Sequence, residues 1–224
     1  MNAAEQTTST PEGPEDQTSS TPGTVETPEH RAPEQAEQAP TEAEQPAEQA
    51  PAEEPAPALS AKESYVDAIV DAGGYAVIDL QPGQGSFLEQ AKLYQDLLKR
   101  PNVGLALDAE WKLNPGEAPL SRIGSATAAE INEVADWLAQ LVRDNNLPQK
   151  ALVLHQFNVA MFPDRENIVT GQPELAWVLH ADGHGGPEQK FDTWNVLREG
   201  LDPNYFMAWK NFFDEDFPTF TPEQ

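Results

Sequence analysis

Val103-Gly-Leu-Ala-Leu-Asp108-Ala-Glu110-Trp111 sorts into two faces when read as extended chain. Side chains alternate along a strand, so Val103, Leu105 and Leu107 share one side, and Gly104, Ala106, Asp108 and Glu110 share the other. Branched residues outward, small ones inward and carboxylates at the exit suit the curved wall of a (β/α) barrel packed against helices. Four further runs have the same apolar body and polar end: Tyr75-Ala-Val-Ile-Asp79-Leu-Gln81, Ala151-Leu-Val-Leu-His155-Gln156, Leu175-Ala-Trp-Val-Leu-His180-Ala-Asp182-Gly-His184 and Tyr205-Phe-Met-Ala-Trp209-Lys210-Asn211. Near-continuous apolar runs are the mark of parallel strands whose sheet is covered by helices.

Helical signals separate the runs. Lys62–Ala72 has apolar residues at 65, 66, 69 and 70 and stops at Gly73-Gly74. Phe87, Leu88, Ala91, Leu93, Tyr94, Leu97 and Leu98 recur at helical spacing after Ser86 and before Pro101. Thr127-Ala-Ala-Glu130 has capping-box spacing ahead of a stripe of Ile131, Val134, Trp137, Leu138, Leu141 and Val142. A short helix is expected within Val159–Val169, and another with Pro187 in its first turn that ends at Gly200. Alternating β and α elements give a parallel sheet, either doubly wound or barrel-like. The turn Gln81-Pro-Gly-Gln-Gly-Ser86 is no G-x-G-x-x-G fingerprint, and the strand parity favours the barrel. The expected fold is therefore α/β, a partial TIM-barrel-like (β/α) parallel sheet of about five strands. Five strands cannot close an eight-stranded barrel, which predicts open edges that self-associate or that the first helix covers.

Residues 1–60 have a different composition from residues 61–224, which form the expected barrel domain. They hold 10 Pro and 13 acidic residues against one Arg, and no aromatic residue. A segment with so little apolar surface cannot offset its ordering entropy, and it reads as a disordered acidic spacer. The net charge of −25 divides into −12 there and −13 in the remainder, where 25 acidic residues face 12 basic ones. That charge argues against nucleic acid and anionic membrane surfaces as partners. No apolar stretch approaches the length of a membrane span, and no signal peptide follows Met1. The absence of Cys removes disulfides, thiolate nucleophiles and Cys-ligated zinc. The spacer's Pro/Glu/Gln/Ala phrasing points to a secreted or cell-surface setting.

Asp108 and Glu110, two apart on one strand beside Trp111, could be the two carboxylates of a glycoside hydrolase next to an aromatic platform. The plainer alternative is that Asp108 caps the following turn while Glu110 is solvated. Asp79 and Asp182 are the other strand-end acids. His155 and Gln156 end the third run, where His155 could serve as a general acid/base or a substrate hydrogen-bonder, or simply be a satisfied core His. His180, Asp182 and His184 have a spacing that zinc could accept, but Gly183 and Gly185 make this a hydrogen-bonded turn in the preferred reading. Trp209, Lys210 and Asn211 offer an aromatic floor, a cation and an amide, and Asp214-Glu-Asp216 reads as a solvated acidic loop. No metal or other cofactor is expected. There is no G-x-S-x-G elbow, H-E-x-x-H or P-loop.

Several words of the sequence carry a family likeness. They are Val77-Ile-Asp-Leu-Gln-Pro-Gly83, Pro101-Asn-Val-Gly-Leu-Ala-Leu-Asp108 with Glu110-Trp111, Ile123-Gly-Ser125, Leu147-Pro-Gln-Lys150, Val153-Leu-His-Gln-Phe157, Asp182-Gly-His-Gly185 and Trp209-Lys-Asn-Phe-Phe-Asp-Glu-Asp216. In these the chain resembles a family of uncharacterised secreted or lipoprotein-type actinobacterial proteins that look like TIM-barrel glycoside hydrolases. The resemblance implies that the five runs are the later strands of the barrel, with the acidic spacer where longer members have about three more. Asp79 and Asp182 would then fall on the fourth and seventh strands. Many retaining glycosidases carry their carboxylates there, as Glu rather than Asp. A hydrolase of cell-envelope glycans is thus expected, with a non-catalytic glycan-binding surface protein or an inactive barrel remnant as the alternatives. For residues 1–60, NMR is expected to show narrow amide dispersion; protected amides in that segment would contradict its reading as disordered.

Overall fold

The computed structural model describes residues 59–221 and 223. The disorder expected for the spacer concerns residues outside that range, except that Leu59 and Ser60 already belong to the first helix. Five strands alternate with helices: α1 Leu59–Asp71, β1 Ala76–Leu80, α2 Phe87–Leu93, α3 Gln95–Leu98, β2 Val103–Asp108, α4 Ala128–Asp144, β3 Lys150–Gln156, β4 Leu175–Ala181, α5 Pro187–Arg198 and β5 Tyr205–Trp209. All neighbouring strands are parallel, and the spatial order β1-β2-β3-β4-β5 is the order along the chain. A doubly wound sheet would reverse direction at some strand. This one does not; it has the consecutive order of a barrel wall. β1 and β5 are edge strands, with α1 packed against β1.

Local signals account for the helices. Thr127 Oγ1 accepts the Glu130 N–H while the Glu130 carboxylate accepts the Thr127 N–H, closing the capping box at the start of α4. Ser86 caps α2 through the N–H groups of Leu88 and Glu89. The single helix expected from 87 to 98 is interrupted at Tyr94, whose ψ of 12° breaks the helical run. The helix expected within 159–169 is two 3₁₀ turns, Val159–Met161 and Arg165–Asn167.

One core lies between the sheet and its helices. Ala76, Leu80, Val103, Leu105, Leu107, Leu152, Leu154, Leu175, Trp177 and Leu179 meet Phe87, Ala91, Ile131, Val134, Leu138 and Leu197 there. Every strand residue in that set has the same parity. The opposite face carries small residues at the centre (Gly104, Ala106, Ala151, Val153, Ala176, Val178), while the rim residues Val77 on β1 and Phe206 on β5 are 46% and 66% exposed. Near the strand N-termini, Tyr75 lies across Gly104 and its hydroxyl accepts the Ala151 N–H at 3.1 Å. A Cβ on Gly104 would come within 2.9 Å of that ring and of the Ala151 carbonyl, so a side chain is excluded there.

Lys150 is fully buried at the start of β3, and its Nζ donates to the Arg100 and Val103 carbonyls at 2.7 and 2.8 Å. Burial pushes its ammonium down from 10.5 to about 8. The unfolded chain therefore holds this proton more tightly, and stability gains a contribution as pH rises from 8 to 10.5. The Tm difference between parent and Lys150→Met is expected to shift in the parent's favour across that interval; a pH-independent difference would refute the assignment.

Candidate functional site

The open face turns polar at the carboxyl ends of the strands. Register places Asp108, His155, His180 and Ala208 in one transverse row, and Asp79 lies on the same face one row below. Beyond the row, the chain continues into Gln81, Glu110, Phe157, Asp182 and Lys210, which have the same parity. Together they wall a cleft of about 470 Å³, also lined by Trp111, His184, Thr193 and Phe212.

His155 is the centre of the arrangement. Its Nδ1 lies 3.1 Å from Asp182 Oδ2 and its Nε2 lies 3.6 Å from Asp79 Oδ1. Lys210 Nζ reaches the other oxygen of Asp182 at 2.8 Å. Burial opposes ionisation of Asp182, but hydrogen bonds from His155 and Lys210 outweigh it and hold the carboxyl below its ordinary value. Asp182 is therefore an acceptor, which requires the proton on His155 Nδ1 and leaves Nε2 facing Asp79. Burial works against protonation of His155, yet the Asp182 hydrogen bond and the charges of Asp79, Asp182 and Asp108 raise its pKa. His180 packs against it with ring centroids 4.8 Å apart and has the opposite fate. Burial first, and the charge of His155 second, push His180 down to about 4.

The remaining carboxyls shift in the opposite direction to Asp182. Burial raises Asp79, Asp108 and Glu110 above their ordinary values, and Asp108 adds to the effect on Glu110. β2 ends at Asp108, whose Oδ1 accepts the Glu110 N–H at 3.1 Å and caps the 3₁₀ turn Ala109–Trp111. The capping role and a place in the cleft thus coincide in one side chain. Gln81 Nε2 donates to the other oxygen, Asp108 Oδ2, at 3.3 Å.

Of the residues singled out from the sequence, the structure gathers Asp79, Asp108, Glu110, Trp111, His155, Asp182, His184 and Lys210 in the cleft, with His180 beside His155. Gln156, Trp209 and Asn211 are elsewhere, which corrects their grouping with the site. Gln156 is one residue out of phase with His155, so it points to the helix-covered side and accepts from Arg165 at 2.7 Å. Trp209 likewise faces the helices and packs against Phe191, Trp194 and Phe220, while its Nε1 donates to Asn211 Oδ1. Asn211 in turn holds the Phe220 carbonyl. Asp216 is not solvated, because it forms a buried ion pair with Lys190. Gln81, Phe157, Thr193 and Phe212 are cleft residues that the sequence did not bring forward. For Gln81 and Phe157 the signal was present: each follows a strand-end polar residue by two positions. Among the described residues, no group of three or more His, Asp or Glu side chains is arranged to hold a metal ion.

No protein-family model, curated protein or solved structure matches the chain.

His155 has a folded pKa above 6.5, so its contribution to stability is complete below that pH and fades as pH rises through the folded midpoint. NMR titration of the imidazole Cε1–H signals is expected to place His155 above 6.5 and His180 near 4. Asp182→Asn should lower the His155 midpoint. Coincident midpoints for the two rings would refute this electrostatic ordering.

Proposed function

We propose that the protein is a glycosidase-type hydrolase that acts on cell-envelope glycans in the strand-end cleft. The observation that carries this reading is His155 held between Asp182 and Asp79, in a cleft where the Asp108 and Glu110 carboxyls have raised pKa values. Glycoside hydrolysis needs one carboxyl that keeps its proton near neutrality and a second group that is ionised or basic. Asp108 is assigned the proton donor because it is the most buried of the three carboxyls, and burial outweighs the hydrogen bonds from Gln81 and the Glu110 N–H that favour its ionised form. Asp79 is the more exposed carboxyl and faces His155, whose charge opposes the effect of burial on it, which fits the nucleophile or base, with Glu110 flanking. His155 Nε2 can take or return a proton, while Asp182 and Lys210 hold the ring from behind. Trp111 and Phe157 line the cleft as aromatic residues that can pack against the apolar side of a sugar. The sequence resemblance to secreted or lipoprotein-type barrel proteins supports a glycan substrate and a cell-surface or secreted setting. No helix among the described residues is long and apolar enough to cross a membrane.

A second reading is a non-catalytic glycan-binding protein. It is favoured by the five-stranded sheet, whose edges β1 and β5 are not joined, so that the cleft lacks the full ring of loops of an eight-stranded barrel. A screen of glycans and peptidoglycan fragments that records binding and product release together separates the readings. Turnover is expected in the parent, with a loss of about 10²-fold or more in Asp108→Asn and retained binding. Binding without turnover in the parent would establish the second reading; neither binding nor turnover would mark an inactive barrel remnant.

A further inference from the structure

A buried ion pair lies behind the cleft wall and outside the cleft. Lys190 of α5 and Asp216 have side chains only 3% and 1% exposed, and their charged atoms are 2.7 Å apart. The three protons of the Lys190 ammonium have three acceptors: Asp216 Oδ2, the Gly183 carbonyl at 2.9 Å and the Lys210 carbonyl at 2.7 Å. Asp216 is equally committed, accepting from the Gly185 N–H on Oδ1 and from the Phe212 N–H on Oδ2, each at 2.9 Å. The network therefore ties the loop after β4 to the exit of β5.

The two carbonyls that Lys190 holds are the informative ones. Gly183 immediately follows Asp182, and Lys210 is the residue whose Nζ pairs with Asp182. The N–H of Asp182 donates to the Gln156 carbonyl at 3.0 Å, so β3 fixes that side of the residue and Lys190 fixes the other. Burying two charges is costly even when they are paired, and well-packed apolar residues often serve stability as well. A role in geometry gives this pair a reason to be ionic.

We propose that Lys190 and Asp216 are positioning residues for His155: they set the loop after β4 and the β5 exit so that Asp182 meets both the imidazole and Lys210. This rests on the reading of His155 as the acid/base centre, but its test needs no glycan, so the two can fail separately. The charged and titratable groups around His155 are Asp79 from β1, Asp108 from β2, Glu110 beyond β2, His180 from β4, Asp182 beyond β4 and Lys210 beyond β5. Only Asp182 and Lys210 belong to the segments that Lys190 and Asp216 hold. Lys210 pairs with Asp182 and is not among the groups that shift His155 directly, so the brace should act through Asp182.

The experiment is an NMR titration of His155 in the full chain, comparing the parent with Asp216→Asn, Lys190→Met and Asp182→Asn, and each brace variant combined with Asp182→Asn. Thermal melts establish that the variants are folded. Each brace variant is expected to lower the His155 midpoint by about one pH unit, a tenfold loss of proton affinity. In the Asp182→Asn background the same changes should add nothing. A folded brace variant with an unmoved His155 midpoint would overturn the proposal, as would a full drop that persists without Asp182. If both brace variants unfold, the pair is a requirement of the fold and the positioning role is likewise rejected.

Discussion

Each connection in this sheet carries the chain to the next strand in the same direction. A right-handed crossover between parallel strands then has one side available to it, so successive helices are all delivered to the same face. The observed core reflects that constraint, since its strand residues share one parity and the helices meet them there. Everything on the other face follows. Among the described residues no helix fills it, its centre carries small residues, and its polar groups converge where the strands end. A doubly wound order would have placed a helix layer over the row that holds Asp108, His155 and His180.

Within that open face, electrostatics follows from neighbours as much as from depth. His155 and His180 are adjacent in register and in contact, yet one is driven up and the other down. The difference is Asp182, which hydrogen-bonds to the first ring and is itself kept ionised by Lys210. Once His155 is charged, His180 pays a Coulombic penalty on top of desolvation. The carboxyls on β1 and β2 feel the charge of His155 as well, but burial decides their direction.

Alternation made most of this legible in the sequence. The split of Val103, Leu105 and Leu107 from Gly104, Ala106 and Asp108 gave both the covered face and the face bearing the carboxylates. The same rule, applied strictly, would have set Gln156 and Trp209 apart from their neighbours His155 and Lys210. Treating a strand end as one polar cluster loses the one-residue change of face. Other features had no local signal. The ion pair of Lys190 and Asp216 joins positions 26 apart in sequence through a turn whose path depends on Gly185. Thr193 carries no signal of its own in the sequence, and the packing of α5 beside Gly183 brings it to the cleft. The interruption at Tyr94 likewise leaves no mark in the apolar spacing of Phe87 to Leu98.

The consecutive strand order also shapes how the sheet comes together. Paired residues are 27 positions apart between β1 and β2, as in Ala76 and Val103, 25 between β3 and β4, as in Lys150 and Leu175, and 28 between β4 and β5, as in Trp177 and Tyr205. Only β2 and β3 are farther separated, by 47 positions between Leu105 and Leu152, and α4 spans that gap. A closed barrel must also join its first strand to its last across the whole chain. This sheet has no such closure, so each rung forms between neighbours in sequence and the loop-closure entropy stays modest. Assembly resembles a short repeat array, in which any adjacent pair can start the sheet and the outer strands open first. Asp108 and His155 sit on the interior strands β2 and β3, the part of such an array that opens after the edges.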